Sequence, residues 1–370
     1  MENFIVSARK YRPSTFDMVV GQSHITDTLK NAIQTNQLAQ AYLFCGPRGV
    51  GKTTCARIFA KAINCESVSR NGEPCNECDS CKDFNNGTSM NIFELDAASN
   101  NSVDDIRSLV EGVRIPPQSG RYKVYIIDEV HQLSASAFNA FLKTLEEPPS
   151  WVKFILATTE KHKIMPTILS RCQCFDFKRI TNEDIVNQLQ YVADQEGVKT
   201  DKESLNLIAQ HSDGGMRDAL STFDQMVNFC SGNLEHERCA EALNILGFND
   251  YYELIGYMRT GNFEQAMLLW NRVQSRGVGG QYFLTGLCEY IRNLLVAHDV
   301  QTHQLLDMSD ESRKRFVEQS QACGVPFMLK MLDMASDFDY RYPFSTNKRL
   351  HVEVCLMKIC AIVRLSKAEQ

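Results

Sequence analysis

The stretch most committed to chemistry is GPRGVGKT at 46–53, which has the form G-x-x-x-x-G-K-[ST], follows the apolar run AYLFC and opens a segment of helical period. The cradle runs from Gly46 through Pro47, Arg48, Gly49, Val50 and Gly51 to Lys52, Thr53 and Thr54. Its glycines let the backbone bend, so that N–H groups and the start of the next helix face phosphate oxygens. Lys52 would meet β and γ phosphate oxygens as a point charge, and the Thr53 hydroxyl would ligate Mg²⁺. Further on, KVYIIDEVH at 123–131 ends an apolar strand in two adjacent acids, Asp128 and Glu129. Ligands of α/β sheets bind at the carboxyl ends of strands. Asp128 therefore suits the Mg²⁺ shell, and Glu129 suits the polarisation of an attacking water. Alone, such a pair also fits a plain polar strand end.

Cys65, Cys75, Cys78 and Cys81 follow the pattern C-x9-C-x2-C-x2-C. Four thiolates at this spacing suit a tetrahedral Zn²⁺, with no position open for catalysis, so the site would be structural. It would order a loop too polar to order itself. An iron–sulfur cluster and unliganded thiols are the alternatives. The remaining cysteines, Cys45 and Cys55 beside the phosphate loop among them, sit in apolar stretches and read as small core hydrophobes. Fourteen cysteines in 370 residues fall below the ~8–10% of a disulfide scaffold. The opening MENFIVSARKYRP has no signal-peptide core, and no 18-residue uncharged apolar run is present. These features predict a cytoplasmic, reducing environment.

The elements that must hold these residues follow from periodicity. Apolar runs at 41–46, 91–97, 123–129, 152–159 and 172–178 alternate with segments of helical period, which predicts βαβ units, a mostly parallel sheet and helices on both faces. Phe138, Phe141, Leu142 and Leu145 make an i, i+3, i+4, i+7 stripe that should pack on that sheet. Eight of the ten prolines lie at or before Pro166, and beyond about residue 179 the sequence reads as amphipathic helices with short polar breaks. Helical runs are expected at 181–197, 204–230, 234–247, 251–261, 263–277, 282–300, 311–324 and 349–366. With 39 basic against 45 acidic residues and a net charge of −6, the chain is not a basic coat for nucleic acid, so any DNA contact must be local.

Taken together, the motifs resemble those of the AAA+ clamp-loader ATPases of bacterial replication. The likeness runs along essentially the whole chain, through ARKYRPSTFDMVVGQ at 8–22, ELDAASNNSVDDIR at 94–107, IIDEVHQLS at 126–134, FLKTLEEPP at 141–149, ILATTE at 155–160 and TILSRCQCFDF at 167–177. The resemblance implies an α/β P-loop AAA+ domain over 1–178 with an inserted zinc module at 65–81, an all-α lid over 179–243 and an all-α collar over 244–370. It implies that Tyr11, Arg12 and Val20 lie on the adenine side, that Thr159 senses the γ-phosphate and that Arg217 touches the nucleotide of its own subunit. It also makes Arg171 an arginine finger for the ATP of a neighbouring subunit. Without the family, Arg171 reads as a surface salt-bridge residue and Arg217 as a helix-start residue paired with an acid.

The implied function is an ATP-driven motor, working with other clamp-loader subunits in a hetero-oligomeric ring to load a sliding clamp on primer-template DNA. The implied setting is the DNA polymerase III holoenzyme at cytoplasmic replication forks, with no polymerase carboxylate set in this chain. Polymerase and helicase contacts would belong to members with a C-terminal extension. Asn100, Asn101 and Ser102 could donate to DNA phosphates, although Ser102 and Asp105 also have capping-box spacing. Lys161, His162 and Lys163 are a second charged candidate, equally suited to a solvated loop. Two rivals remain: a DExH-like nucleic-acid helicase, which needs a second sheet, and an inert scaffold subunit, which would lack an intact phosphate loop.

Overall fold

In the computed structural model, which describes residues 5–117, 120–243, 248–306 and 310–368, the five apolar runs form the expected parallel strands. They are β1 (Ala41–Cys45), β2 (Ile92–Asp96), β3 (Lys123–Asp128), β4 (Val152–Thr158) and β5 (Gln173–Asp176). They lie in the order β2-β3-β4-β1-β5 and every pairing is parallel. The central strands β1, β3 and β4 are buried on both faces, which is why they read as continuous apolar runs and not as alternating ones.

The period of two still sorts their side chains. Tyr42, Phe44, Val124, Ile126, Ile155 and Ala157 join one core with the helices Ser23–Gln34 and Lys52–Ile63. Leu43, Cys45, Tyr125, Ile127, Phe154 and Leu156 join the other, with the helices Val103–Val113 and Ala135–Glu146. Phe138, Phe141 and Leu145 are buried in that second core and Leu142 packs against it, so the predicted stripe does cover the sheet.

Three helices follow the sheet: Asn182–Glu196, Lys202–His211 and Met216–Phe229. Thr181 caps the first by accepting the Asp184 N–H at 3.1 Å, and Gly197 ends it in the left-handed region. This region is not purely helical. Two-residue strands, Lys199–Thr200 and Asn233–Leu234, pair in parallel and tie the chain leaving the first helix to the chain leaving the third.

The chain divides into two compact units, one ending at Glu235 and the other beginning at His236. The helix His236–Ala242, which the sequence assigns to the lid, thus falls in the second unit. That unit contains the helices Phe248–Thr260, Phe263–Ser275, Gly280–Ala297, Asp310–Cys323, Val325–Arg341 and Lys348–Ala368. Its core gathers Trp270, Phe283, Leu287, Ile291, Met331, Val352 and Leu356. The sequence reading omits Val325–Arg341, because Pro326 looks like a break; in fact it occupies the first turn, where its missing N–H costs nothing. Among the described residues no helix is long and apolar enough to cross a membrane.

Candidate nucleotide site and cysteine centre

The parallel topology brings the carboxyl ends of β1, β3 and β4 side by side, and the phosphate loop, the acidic pair and Thr159 all lie there. Gly46, Gly49 and Gly51 have φ of 149°, 77° and 101°. At Gly46 a Cβ would stand 2.5 Å from the Phe177 carbonyl oxygen, so the close passage of the chain after β5 as well as the dihedral requires glycine there. The helix Lys52–Ile63 begins directly after Gly51 and turns its N-terminus to the loop.

Lys52 is buried, and its Nζ donates to the carbonyls of Gly46 at 2.8 Å and Pro47 at 2.6 Å. Desolvation pulls its pKa down, and the charges of Glu129 and then Asp128 oppose that shift. Thr53 Oγ1 donates to Asp128 Oδ2 at 2.8 Å, so the two oxygens proposed for one Mg²⁺ adjoin each other. Glu129, at φ 48°, leaves the strand in the left-handed region. Its Oε2 accepts from the Thr159 N–H at 3.1 Å and the Thr159 hydroxyl at 2.9 Å. Oxygen ligands for a hard cation, a buried ammonium and backbone N–H groups together fit Mg²⁺ and a polyphosphate.

The segment before the first long helix closes over this loop. Arg12 Nε donates to Thr54 Oγ1 at 3.3 Å, and partial desolvation followed by the charges of Arg57 and Arg217 holds its pKa below the ordinary arginine value. The Tyr11 hydroxyl donates to Glu196, and its ring meets Tyr191 edge-on at 6.4 Å. Burial, then Glu196, pushes the Tyr11 phenol up to about 12. Ser7 donates through its N–H and its hydroxyl to Asp224 at 2.7 and 2.5 Å. The stretch thus spans the phosphate loop and two lid helices. Val20 is half-buried. On the lid side the Arg217 N–H donates to the Gly49 carbonyl at 3.4 Å, which sets the start of the helix Met216–Phe229 against the loop.

Arg171 is placed differently. Its guanidinium pairs with Glu146 at 2.8 Å and donates to the Thr167 carbonyl at 2.8 Å and Ser170 Oγ at 3.2 Å, so within one chain it is the surface ion pair that local sequence suggests. Ser102 closes a capping box with Asp105, and Asn100 Nδ2 donates to the Asp96 carbonyl at 3.0 Å. Lys161 grips both oxygens of Asp176 at 2.7 and 2.8 Å, Lys163 binds Glu160 at 2.6 Å, and His162 is exposed.

Three side chains that sequence reasoning passed over are central to the geometry. Gln22 Nε2 donates to the Lys178 carbonyl at 2.7 Å, and Gln22 Oε1 accepts the Lys178 N–H at 3.3 Å. Glu73 accepts the N–H groups of Phe16 and Asp17 at 2.8 and 3.0 Å and pairs with Lys30 at 3.0 Å. His131 wedges between Glu129 and Glu160. For the last, the IIDEVH motif was a usable signal; the other two partnerships join distant segments and leave no local pattern.

The four sulfurs of Cys65, Cys75, Cys78 and Cys81 lie within 4.8 Å of one another. The Cys65–Cys75, Cys65–Cys78 and Cys75–Cys81 separations are 3.4, 4.0 and 3.9 Å. Four thiolates about 2.3 Å from one tetrahedral ion stand about 3.8 Å apart, so this cage has the size for Zn²⁺. The Cys75 sulfur accepts the N–H groups of Glu77 and Cys78 at 3.4 and 3.3 Å. Burial raises its pKa, but those donors prevail and hold the thiol near 6, in favour of the thiolate a metal needs. Cys45 and Cys55 are buried as expected, whereas Cys174 is exposed.

Three family models match in series: the DNA polymerase III delta subunit over 21–181, the DNA polymerase III clamp loader subunit ATPase lid domain over 184–232, and domain III of DNA polymerase III subunits gamma and tau over 238–370. The DNA polymerase III subunit gamma of Buchnera aphidicola subsp. Schizaphis graminum is 33% identical over 359 residues, covering 96% of this chain and 98% of that one. The chain belongs to the DNA polymerase III gamma/tau family. The tau subunit of Bacillus subtilis is 42% identical across 98% of this chain, and that of Escherichia coli 42% identical across 75%. The chain spans 64% and 43% of the lengths of those two relatives. A solved RuvB structure from Thermotoga maritima, 17% identical, superposes with a TM-score of 0.50 over 67% of this chain and 79% of its own; the likeness is one of fold, the P-loop AAA+ arrangement.

Proposed function

We propose that this chain is an ATP-hydrolysing subunit of a bacterial replicative clamp loader, which uses ATP to open a sliding clamp and place it on primed DNA. The observation that carries the reading is the joint placement of Thr53 against Asp128 and of Thr159 against Glu129 beside a buried Lys52, all at neighbouring strand ends.

Lys52 and the loop N–H groups would bind the phosphates, and the Arg12 and Arg217 side chains would bring further positive charge. Thr53 and Asp128 would hold Mg²⁺, which when bound neutralises charge on the β- and γ-phosphate oxygens. Glu129 would accept a proton from the attacking water, and Thr159, sharing its carboxylate, would report the γ-phosphate to it. Arg171 would leave Glu146 and enter the site of a neighbouring subunit, adding its charge in trans to the γ-phosphoryl transition state. The segment around Tyr11, Arg12 and Val20 would cover the base. Cys65, Cys75, Cys78 and Cys81 would hold a structural Zn²⁺. The helices after His236 would form the collar of a ring with other clamp-loader subunits, and Asn100 and Asn101 would face primer-template DNA. A helicase of the DExH type needs a second sheet, and among the described residues the second unit has no strand.

The test is ATP turnover by the isolated chain and by the chain assembled with its partner subunits, clamp and primed DNA. Slow turnover alone, strong stimulation in the assembly, and loss of both in Lys52→Ala support the reading. Equal turnover by Lys52→Ala and the native chain overturns it.

A further inference from the structure

Glu129 depends on a group that the proposed ATPase chemistry does not name. Immediately after the left-handed turn at Glu129, the short helix Val130–Gln132 folds His131 back into the protein, leaving its side chain 8% exposed. The ring then stands between two carboxylates. Its Nδ1 lies 3.3 Å from Glu129 Oε2 and 3.0 Å from Thr158 Oγ1, and its Nε2 lies 3.0 Å from Glu160 Oε2. A carboxylate only accepts, so Nε2 carries a proton and donates it to Glu160. Thr158 is fully buried, and its Oγ1 already accepts the Glu160 N–H at 3.0 Å, which fixes the hydroxyl facing the ring. Glu160 is in turn fixed by Lys163 at 2.6 Å. The imidazole is therefore anchored by two groups from the end of β4, by Glu160 at Nε2 and by the Thr158 hydroxyl at Nδ1, the nitrogen that also faces Glu129.

The consequence falls on the two oxygens of Glu129. Every hydrogen bond and ion pair its carboxylate makes among the described residues, with the Thr159 N–H, the Thr159 hydroxyl and His131, is on Oε2. Oε1 has none, and it is the oxygen left to take a proton from water. Without the ring, the space beside Oε2 opens and the carboxylate gains rotamers in which that division is lost.

We propose that His131 is a positioning residue for ATP hydrolysis: anchored by Glu160 and Thr158, it holds the Glu129 carboxylate with Oε2 inward and Oε1 toward the water. The inference rests on Glu129 being the general base, as proposed above. His131 makes no hydrogen bond or ion pair with Lys52, Thr53 or Asp128, so it acts on turnover and not on nucleotide capture.

The experiment compares His131→Asn, Glu160→Gln and the double variant in the assembled complex with clamp and primed DNA, with Lys52→Ala in parallel. His131→Asn should lower kcat by about tenfold to a hundredfold, the penalty of misplacing a reacting group by about an ångström. The Kd of the chain for ATP, read by a fluorescent ATP analogue, should stay within about a factor of two. Glu160→Gln should lower kcat less, and the double variant should be no slower than His131→Asn, because both act through one ring. An unchanged kcat in His131→Asn overturns the proposal. So does a weakening of ATP binding and of thermal stability in step with kcat, which marks a merely structural histidine. If Lys52→Ala hydrolyses ATP as fast as the native chain, the ATPase reading itself fails; if Lys52→Ala is dead and His131→Asn is normal, only this inference does.

Discussion

Glu73 gives the sharpest link between the cysteine loop and the nucleotide segment. It lies inside the 65–81 loop, yet its carboxylate closes two backbone donors of the 8–22 segment, Phe16 N–H on Oε2 at 2.8 Å and Asp17 N–H on Oε1 at 3.0 Å. Phe16 is 1% exposed, so its N–H cannot turn to water when the acceptor goes. Glu73→Gln keeps one acceptor oxygen and strands one donor, which costs about 1–3 kcal/mol. Glu73→Ala strands both and also leaves Lys30 without one of its two carboxylates, so about 2–4 kcal/mol is expected. Each 1.4 kcal/mol is about a factor of ten in a local opening equilibrium, so the Phe16 and Asp17 amides should exchange about tenfold faster in Glu73→Gln and about a hundredfold faster in Glu73→Ala. Affinity for ATP should fall in the same order, because Arg12 and Val19 approach the phosphate loop from that segment. Native exchange at both amides in Glu73→Ala would rule out this link between the cysteine loop and the nucleotide segment, as would faster exchange with unchanged ATP affinity.

The other predictions bear on the same architecture. Metal analysis of the purified chain should find one zinc, and Cys78→Ser or prolonged chelation should lower both the zinc content and the melting temperature while speeding exchange at Phe16, as loss of Glu73 does. Arg171→Ala should leave ATP binding by the isolated chain unchanged but cut turnover in the assembled ring by a factor of order 10³–10⁵; an equal loss in the isolated chain would remove the trans role. Lys10 and then Tyr11 hold the Glu196 carboxyl below its ordinary value. The contact of residues 7–11 with the lid should therefore be at full strength above the ordinary glutamate range near 4.3, and weaken as the pH falls through the lowered value. This pair is exposed enough that less than about 1 kcal/mol is at stake, and Glu196→Gln should abolish the pH dependence of exchange at these amides.

What could be read from sequence was whatever local chemistry dictates. The five strands and the Phe138–Leu145 stripe follow from periods that burial on a sheet imposes, and the Walker-type loop and cysteine spacing are requirements of phosphate and metal geometry. Val325–Arg341 escaped because a proline in the first turn of a helix and a proline that ends one look alike when only the neighbours are known. Glu73, Gln22 and His131 escaped for a different reason. Glu73 and Gln22 satisfy backbone groups far away in the chain, and His131, though it sits in a readable motif, takes its role from Thr158 and Glu160, which only the folded sheet brings to it. Arg171 is the instructive middle case: its local surroundings make it an ordinary ion pair with Glu146, and its proposed role exists only when a second subunit is present.

In the proposed function, ATP hydrolysis at Lys52, Thr53, Asp128 and Glu129 drives clamp loading. The direct measurement counts sliding clamps placed on primed circular DNA, per ATP hydrolysed, by a complex containing either the native chain or Glu129→Gln. The native complex should load clamps with coupled turnover, while Glu129→Gln should bind ATP and grip the clamp but neither hydrolyse nor release it on DNA. Clamp release and turnover at the native rate in Glu129→Gln would contradict the account.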